Sequence, residues 1–362
     1  MKIGFYPYES TDNMYLSIVI ENIKKQGCEI EPFVVSIKKW ILKKYDLDVV
    51  HFNWFDNIDA GTGLQTLLRF GKRVLILAIL KFQNVKIVVT VHNKIAHNTK
   101  YHRLSKIFMK ILYKNADAIT ILSDETRIVL ADIVGSKNYL KIKKRIFKIP
   151  HPNYIGAYPE NLTKVIDSCN SDSLMKCLFL GAIKPYKNIE LIIESAKALH
   201  QKGYNIEYTI AGGGKEKYLS YLKNKTLNEQ YIRFIGHFIS DNEIAELIKS
   251  VDLLILPYDL KSSLNSGTCY LAFSYKKTVV CPLIGTIEEV GTENCYAYSY
   301  TNDEEHMTIF MKTLEKAYQD FKKDPNAFRK KGKYLYDKVK EENAPENIGI
   351  QYMQMYSSLL KM

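Results

Sequence analysis

The 362-residue sequence lacks any apolar run long enough to cross a bilayer. The longest, Val74 to Leu80, falls far short of the roughly 18–20 residues that a spanning helix needs. No apolar signal region precedes the first strand-like segment, Lys2 to Pro7, so a cytoplasmic chain is expected. Cys28, Cys169, Cys177, Cys269, Cys281 and Cys295 are scattered, with no C-x-x-C pair and no histidine at metal-ligand spacing. That excludes a zinc ribbon or a disulfide framework and predicts reduced, buried thiols. Short-period repeats, low-complexity tracts and nucleic-acid-reading motifs are missing as well, and neither a metal nor an organic cofactor is expected.

Carboxylates are scarce in one half only. Residues 1–150 hold 25 Lys and Arg against 13 Asp and Glu, a net of +12, whereas residues 151–362 hold 26 of each. A polyanionic partner of the first half accounts for that division, and so does a merely solubilising basic surface. Lys106, Lys110 and Lys114 recur on one helical face, and Lys137, Lys141, Lys143, Lys144, Arg145 and Lys148 form a second cluster. With no nucleic-acid motif, the partner expected is an anionic membrane surface, which places the chain peripherally at the inner face of the plasma membrane.

What is present is alternation. Short β-branched or aromatic segments at Lys2–Pro7, Glu29–Val35, Asp48–Trp54, Lys86–Val91, Ala118–Leu122 and Ile146–Ile149 are separated by helical stretches. Pro150 and Pro152 punctuate the chain, and the polar stretch from Asn153 to Ser173 reads as a linker. A second series follows, with strands at Lys176–Leu180, Glu207–Ala211, Ile232–Ile235, Leu253–Leu256, Thr278–Pro282 and Tyr296–Ser299, and then a helical tail. Two βαβα series predict an α/β protein of two doubly wound, Rossmann-like domains facing a cleft, with ligands at strand carboxyl ends.

Glycines and cations cluster where such strands end. Phe179-Leu180-Gly181-Ala182-Ile183-Lys184-Pro185-Tyr186-Lys187 is a strand, a turn and two lysines before a helix, a combination suited to a diphosphate. Ala211-Gly212-Gly213-Gly214 is a second glycine turn, equally readable as plain punctuation. Leu256-Pro257-Tyr258 ends a strand, and Asn265-Ser266-Gly267-Thr268 opens a helix. Those four residues either present N–H groups and hydroxyls to a phosphate or simply cap the helix.

In their order these motifs resemble the GT-B glycosyltransferases, in the group that includes the retaining family 4 enzymes. Similarity is greatest to bacterial exopolysaccharide enzymes such as the xanthan-type β-mannosyltransferases. Pro185-Tyr186-Lys187, His92-Asn93-Lys94-Ile95-Ala96-His97, His51-Phe52-Asn53-Trp54 and Pro150-His151-Pro152-Asn153-Tyr154 carry that resemblance, which spans roughly residues 1–300. It implies an acceptor-binding domain at 1–152, a donor-binding domain at 153–340 and a helix at 341–362 returning to the first domain. The implied activity is hexosyl transfer from a UDP- or GDP-sugar to a lipid-linked or glycan acceptor, in capsule, exopolysaccharide or lipopolysaccharide synthesis. An inactive GT-B partner subunit and a nucleotide-sugar epimerase are the alternatives.

Three departures bear on mechanism. The paired family 4 glutamates, seven residues between them, fall on Ser263 and Leu271. The arginine after the first glycine is Ala182, leaving Lys184 to supply charge, and Glu289 is the candidate for the donor ribose. These losses favour an inverting, metal-independent transfer, which needs a base for the acceptor hydroxyl. Asp12, His92 and His97 follow strands and are the candidates. Asp12 serves equally as a helix cap, and His92 as a hydrogen-bonded strand-end residue. His51 reads as structural, while Trp54 and Phe55 read either as a sugar platform or as core. The donor set expected is Gly181, Lys184, Lys187, Gly213, Tyr258, Asn265, Ser266, Gly267, Thr268 and Glu289.

Overall fold

A computed structural model describes residues 1–10, 14–35, 46–94, 100–160 and 173–361. Asp12, His97 and Cys169 lie outside the described residues. The chain forms two compact units, one of Met1–Pro152, Lys261–Asn265 and Ala344–Met362, the other of Asn153–Leu260 and Ser266–Asn343.

The first unit is built on a parallel sheet in the order β2-β1-β3-β4-β5-β6. Its strands are β1 Lys2–Tyr6, β2 Glu29–Pro32, β3 Val49–Asn53, β4 Lys86–Val91, β5 Ala118–Ile121 and β6 Ile146–Lys148. Side chains alternate between two buried faces, as the two-residue period of a strand requires. Val50, Phe52, Ile87 and Val89 meet the helices α2 (Gly63–Phe82), α3 (His102–Asn115), α4 (Glu125–Val134) and α5 (Ser136–Ile142). Val49 and Val88 face α1 (Tyr15–Lys25) and the C-terminal helix α13 (Pro345–Leu360). A Cβ built on Gly349 of α13 would lie 2.5 Å from the carbonyl oxygen of Asn22, so α13 sits on α1 at backbone distance. Within this unit Leu264, from the Lys261–Asn265 segment, is fully buried among Phe55 and Phe108.

The second unit has a parallel sheet in the order β12-β11-β10-β7-β8-β9. The strands are β7 Met175–Leu180, β8 Ile206–Ala211, β9 Ile232–Ile235, β10 Leu253–Ile255, β11 Thr278–Pro282 and β12 Tyr296–Tyr298. Its helices are α6 (Ile189–Gln201), α7 (Glu216–Thr226), α8 (Asp241–Lys249), α9 (Gly267–Ser274), α10 (Gly285–Val290), α11 (Asp303–Lys323) and α12 (Pro325–Glu342). Capping residues mark their starts: Ser240 and Glu243 form a capping box on α8, and Asp324 accepts from Ala327 N–H where Pro325 opens α12.

Beyond one-residue shifts at strand ends, three elements differ from the sequence expectation. β2 stops at Pro32 instead of Val35; it is an edge strand, where proline's missing N–H is tolerated but ladder pairing soon ends. The basic cluster at 137–148 contains α5, which its weak apolar periodicity concealed. The stretch carrying Glu289, to which the sequence pattern assigns no helix, is α10.

Candidate functional site

Each sheet has one place where strand order reverses. In the first unit it lies between β1 and β3, in the second between β7 and β10. Chain leaving adjacent strands there diverges to opposite faces and opens a crevice at the carboxyl ends.

In the second unit the crevice is lined by turns that only glycine permits. Gly181 has φ +136 and Gly212 φ +156. A Cβ on Gly212 would lie 1.9 Å from the carbonyl oxygen of Gly181, so the β7 and β8 turns touch backbone to backbone. Ile183 N–H donates to Gly213 O at 2.7 Å, tying the two turns together. Beyond them, Pro185–Lys187 make one 3-10 turn, and Asn188 enters α6 at φ +53 with its amide donating to Pro257 O at 2.8 Å.

That turn places Lys187 Nζ 4.0 Å from the centroid of Tyr258 and 5.3 Å from that of Tyr186. Burial is the main cause that brings the ammonium down to about 8, with Lys184 adding repulsion and the nearby cysteines Cys269 and Cys281 opposing the shift. Among the described residues no carboxylate pairs with Lys187. A half-buried cation held on an aromatic face without a counter-charge suits an anionic ligand. Lys184 is exposed beside it.

The start of α9 completes this set. Ser266 Oγ accepts from Cys269 N–H at 3.2 Å and lies 2.9 Å from the Tyr258 hydroxyl, while Ser266 N–H donates to Thr286 Oγ1. Its hydroxyl is therefore a cap, and the groups left for a ligand are the backbone N–H of Gly267 and Thr268. Tyr258, expected to meet the donor, is buried beneath Lys187 and positions it. Gly213 borders the turn with its backbone close to Phe238. Glu289, on α10, lies near Tyr270 of α9, whose phenol is pushed up first by burial and then by that carboxylate. Asn265 belongs to the first unit, and its buried amide nitrogen has no partner among the described residues. Ser263 and Leu271, in the glutamate positions, are both buried.

At the reversal in the first unit, four rings converge. Trp54 follows β3 in a left-handed conformation, φ +49, rare for a bulky residue and costing about 1–3 kcal/mol. That turn stacks its indole on His92, centroids 4.1 Å apart. Tyr15 sits edge-on to His92 at 5.3 Å and tilted to His151 at 4.8 Å. His92 Nε2 donates to Asn53 Oδ1 at 2.8 Å, which leaves Nδ1 with the lone pair. Burial, then the neighbouring His151 and His51, holds His92 well below the ordinary imidazole range, so it is neutral at pH 7. Asn53 is fully buried, and its amide nitrogen has no partner among the described residues. His51 is structural: its nitrogens lie 2.6 Å from Tyr356 Oη and 2.7 Å from Thr90 Oγ1, and burial lowers it to about 3. Phe55 is core, stacked on Phe52, so of the two aromatic platform candidates only Trp54 is half-exposed, with one face covered by His92. Sequence reasoning missed Asn53, Tyr15 and His151 as neighbours of His92, although the left-over polarity of Asn53 at the end of an apolar strand was a usable signal.

Among the described residues no group of three or more His, Cys, Asp or Glu could hold a metal ion, and no helix is long and apolar enough to cross a membrane.

Residues 171–319 match the family profile of glycosyl transferases group 1. No curated protein matches the sequence. Among solved structures, Anabaena HepE in complex with UDP-glucose is similar at TM-score 0.70 and 13% identity, covering 99% of this chain and 100% of its own. Sucrose-phosphate synthase of Thermosynechococcus elongatus gives TM-score 0.75 and 13% identity over 100% and 99% of the two chains. Staphylococcus aureus TarM, in complex with fondaparinux, α-GlcNAc-glycerol and UDP, gives 0.59 and 13% over 89% of this chain and 58% of its own. The architecture is the GT-B fold.

Proposed function

We propose that this GT-B glycosyltransferase moves a hexose from a UDP-sugar to a lipid-linked or glycan acceptor in cell-surface polysaccharide synthesis, with inversion at the anomeric carbon. The observation that carries the donor assignment is Lys187, a half-buried cation with no counter-charge among the described residues, beside the N–H groups of Gly267 and Thr268 at the start of α9. Lys187, Lys184 and the α9 N-terminus receive the diphosphate, and the glycine turns allow backbone approach. UDP is the nucleotide proposed because HepE and TarM are both seen with it.

In the transfer, the acceptor oxygen forms a bond to the anomeric carbon as the bond to the β-phosphate oxygen breaks. The proton passes to His92 Nδ1, and the electron pair leaves with the nucleotide, whose charge Lys187 meets. Leu271 and Ser263 in place of the paired glutamates support inversion over retention. Asp12 and His97 stay as further base candidates.

Thermal shift with UDP and GDP, followed by a nucleotide-release assay across UDP-sugars, tests this reading. UDP should raise the melting temperature and at least one UDP-sugar should turn over. No stabilisation by any nucleoside diphosphate sinks the donor assignment. Tight UDP binding with no transfer in the presence of any lipid or glycan acceptor leaves the non-catalytic partner subunit.

A further inference from the structure

The helices α2, α3, α4 and α5 pack side by side over one face of the first unit's sheet. The core-facing side of α2 is already complete with Ile76, Leu77 and Leu80. Its outward side nevertheless carries Leu64, Leu68, Leu75 and Phe82, in register with Gly71 and Ala78 at alternating steps of three and four. Leu64 is 70% and Phe82 89% exposed. The neighbouring helices add exposed apolar side chains of their own, Ile107 on α3, Ile128 on α4 and Leu140 on α5, the last two above 70% exposed.

Cations accompany these side chains and are only partly compensated. α2, α3 and α5 contain no Asp or Glu at all. Lys81 and Lys106 are paired, with Asp117 and Asp132, but Lys72, Lys110, Lys114, Lys137 and Lys141 are exposed and have no carboxylate partner among the described residues. Beside Leu68 a cavity of about 420 Å³ is lined by Arg69, Lys72 and Arg73 with Tyr6 and Val35, room for an anionic headgroup. On the opposite face, α1 and α13 each carry a glutamate and hold only two lysines between them.

We propose that this four-helix layer docks on an anionic bilayer, with the outward stripe of α2 entering the headgroup region and the lysines of α3 and α5 meeting lipid phosphates. A nucleic acid would engage the lysines yet gain nothing from Leu64, Leu75 or Phe82. A bilayer interface rewards both, since buried apolar area and attraction to anionic lipid add in such helices. The surface lies in the first unit, whereas Lys187 lies in the second, so this inference and the donor assignment stand or fall separately.

The experiment is co-sedimentation with phosphatidylcholine vesicles, with and without phosphatidylglycerol as the anionic probe. The wild type should bind the anionic vesicles alone and release as salt shortens the screening length from about 10 Å at 0.1 M to about 3 Å at 1 M. Leu68→Ser/Leu75→Ser/Phe82→Ser and Lys72→Glu/Lys110→Glu/Lys114→Glu should each bind at least tenfold more weakly while melting and binding UDP as the wild type does. Phe82→Trp should gain fluorescence quenched by brominated lipid, beyond any quenching in the wild type. Equal binding to neutral and anionic vesicles, or none to either, overturns the proposal. So does an unaltered affinity of the serine variant, which would mean adhesion by charge alone, and so does salt-sensitive duplex DNA binding in the absence of vesicle binding.

Discussion

Lys187 Nζ rests 4.0 Å from the centre of the Tyr258 ring, and the Tyr258 hydroxyl lies 2.9 Å from the Ser266 oxygen that caps α9. One buried tyrosine therefore joins the cation to the helix start, so the groups proposed to receive a diphosphate are fixed before any ligand arrives.

Lys187→Ala should raise the UDP dissociation constant at least tenfold, since a charge-assisted contact is worth about 1.5–3 kcal/mol. Titration calorimetry checks this, with circular dichroism confirming an intact fold. The lowered ammonium adds a pH signature. Diphosphate favours the charged form, so affinity should hold below about pH 8 and fall by up to tenfold per unit above it. Lys187→Arg should abolish that decline. A flat profile to pH 9.5 in the wild type contradicts the assignment.

Replacing His92 by Gln should slow turnover at least 100-fold, general-base catalysis being worth about 10²–10⁴, while leaving UDP affinity within twofold. The product should carry the anomeric configuration opposite to the donor's, read by NMR coupling constants. A product with retained configuration rules out the inverting scheme, whatever His92→Gln does.

Acid should weaken the first unit. His51 is held neutral to about pH 3, whereas in the unfolded chain it protonates near 6.5. The unfolded state thus binds more protons between these values, so the contribution is intact above about 6.5 and is lost as pH falls toward 3. At pH 5 the loss from this residue alone is about 2 kcal/mol. Urea unfolding at pH 7.5 and 5.0 measures it. His51→Gln should be less stable at pH 7.5 but lose about 2 kcal/mol less on acidification.

Gly349→Ala tests how closely α13 meets α1. Its Cβ would fall 2.5 Å from Asn22 O, a backbone atom that cannot rotate away. Overpacking of this kind costs about 1–3 kcal/mol. A denaturation midpoint unchanged from wild type would mean that the helices separate without penalty.

The double series of strands was legible because each is short, apolar and β-branched, and because helices fill every gap. Lys187 and the glycine turns were legible for the same local reason: strand, turn, cation and helix follow one another within about a dozen residues. What sequence could not supply is proximity across distance. Nothing near Tyr258 reveals that its ring lies under Lys187. Nothing near Asn53 or Trp54 reveals that His92, well over thirty residues further on, stacks and bonds there. Ser266 looked like a phosphate ligand and a cap at once; only the hydrogen bond from Cys269 N–H separated the two roles. The apolar run of α2 was visible too, but periodicity marks a helix without saying that both its faces are apolar.

The chain passes from one unit to the other more than once, at Pro152, around Lys261–Asn265 and again at Asn343. Neither unit is a contiguous piece of the gene product. A fragment ending at Pro152 would leave bare the surface that Ile348, Tyr352 and Tyr356 cover, and would also lack Leu264. Hybrids that exchange the second unit between relatives should therefore keep residues 261–265 and 344–362 with their own N-terminal half. A single cut at the linker would graft a foreign plug and a foreign helix into a core evolved for others.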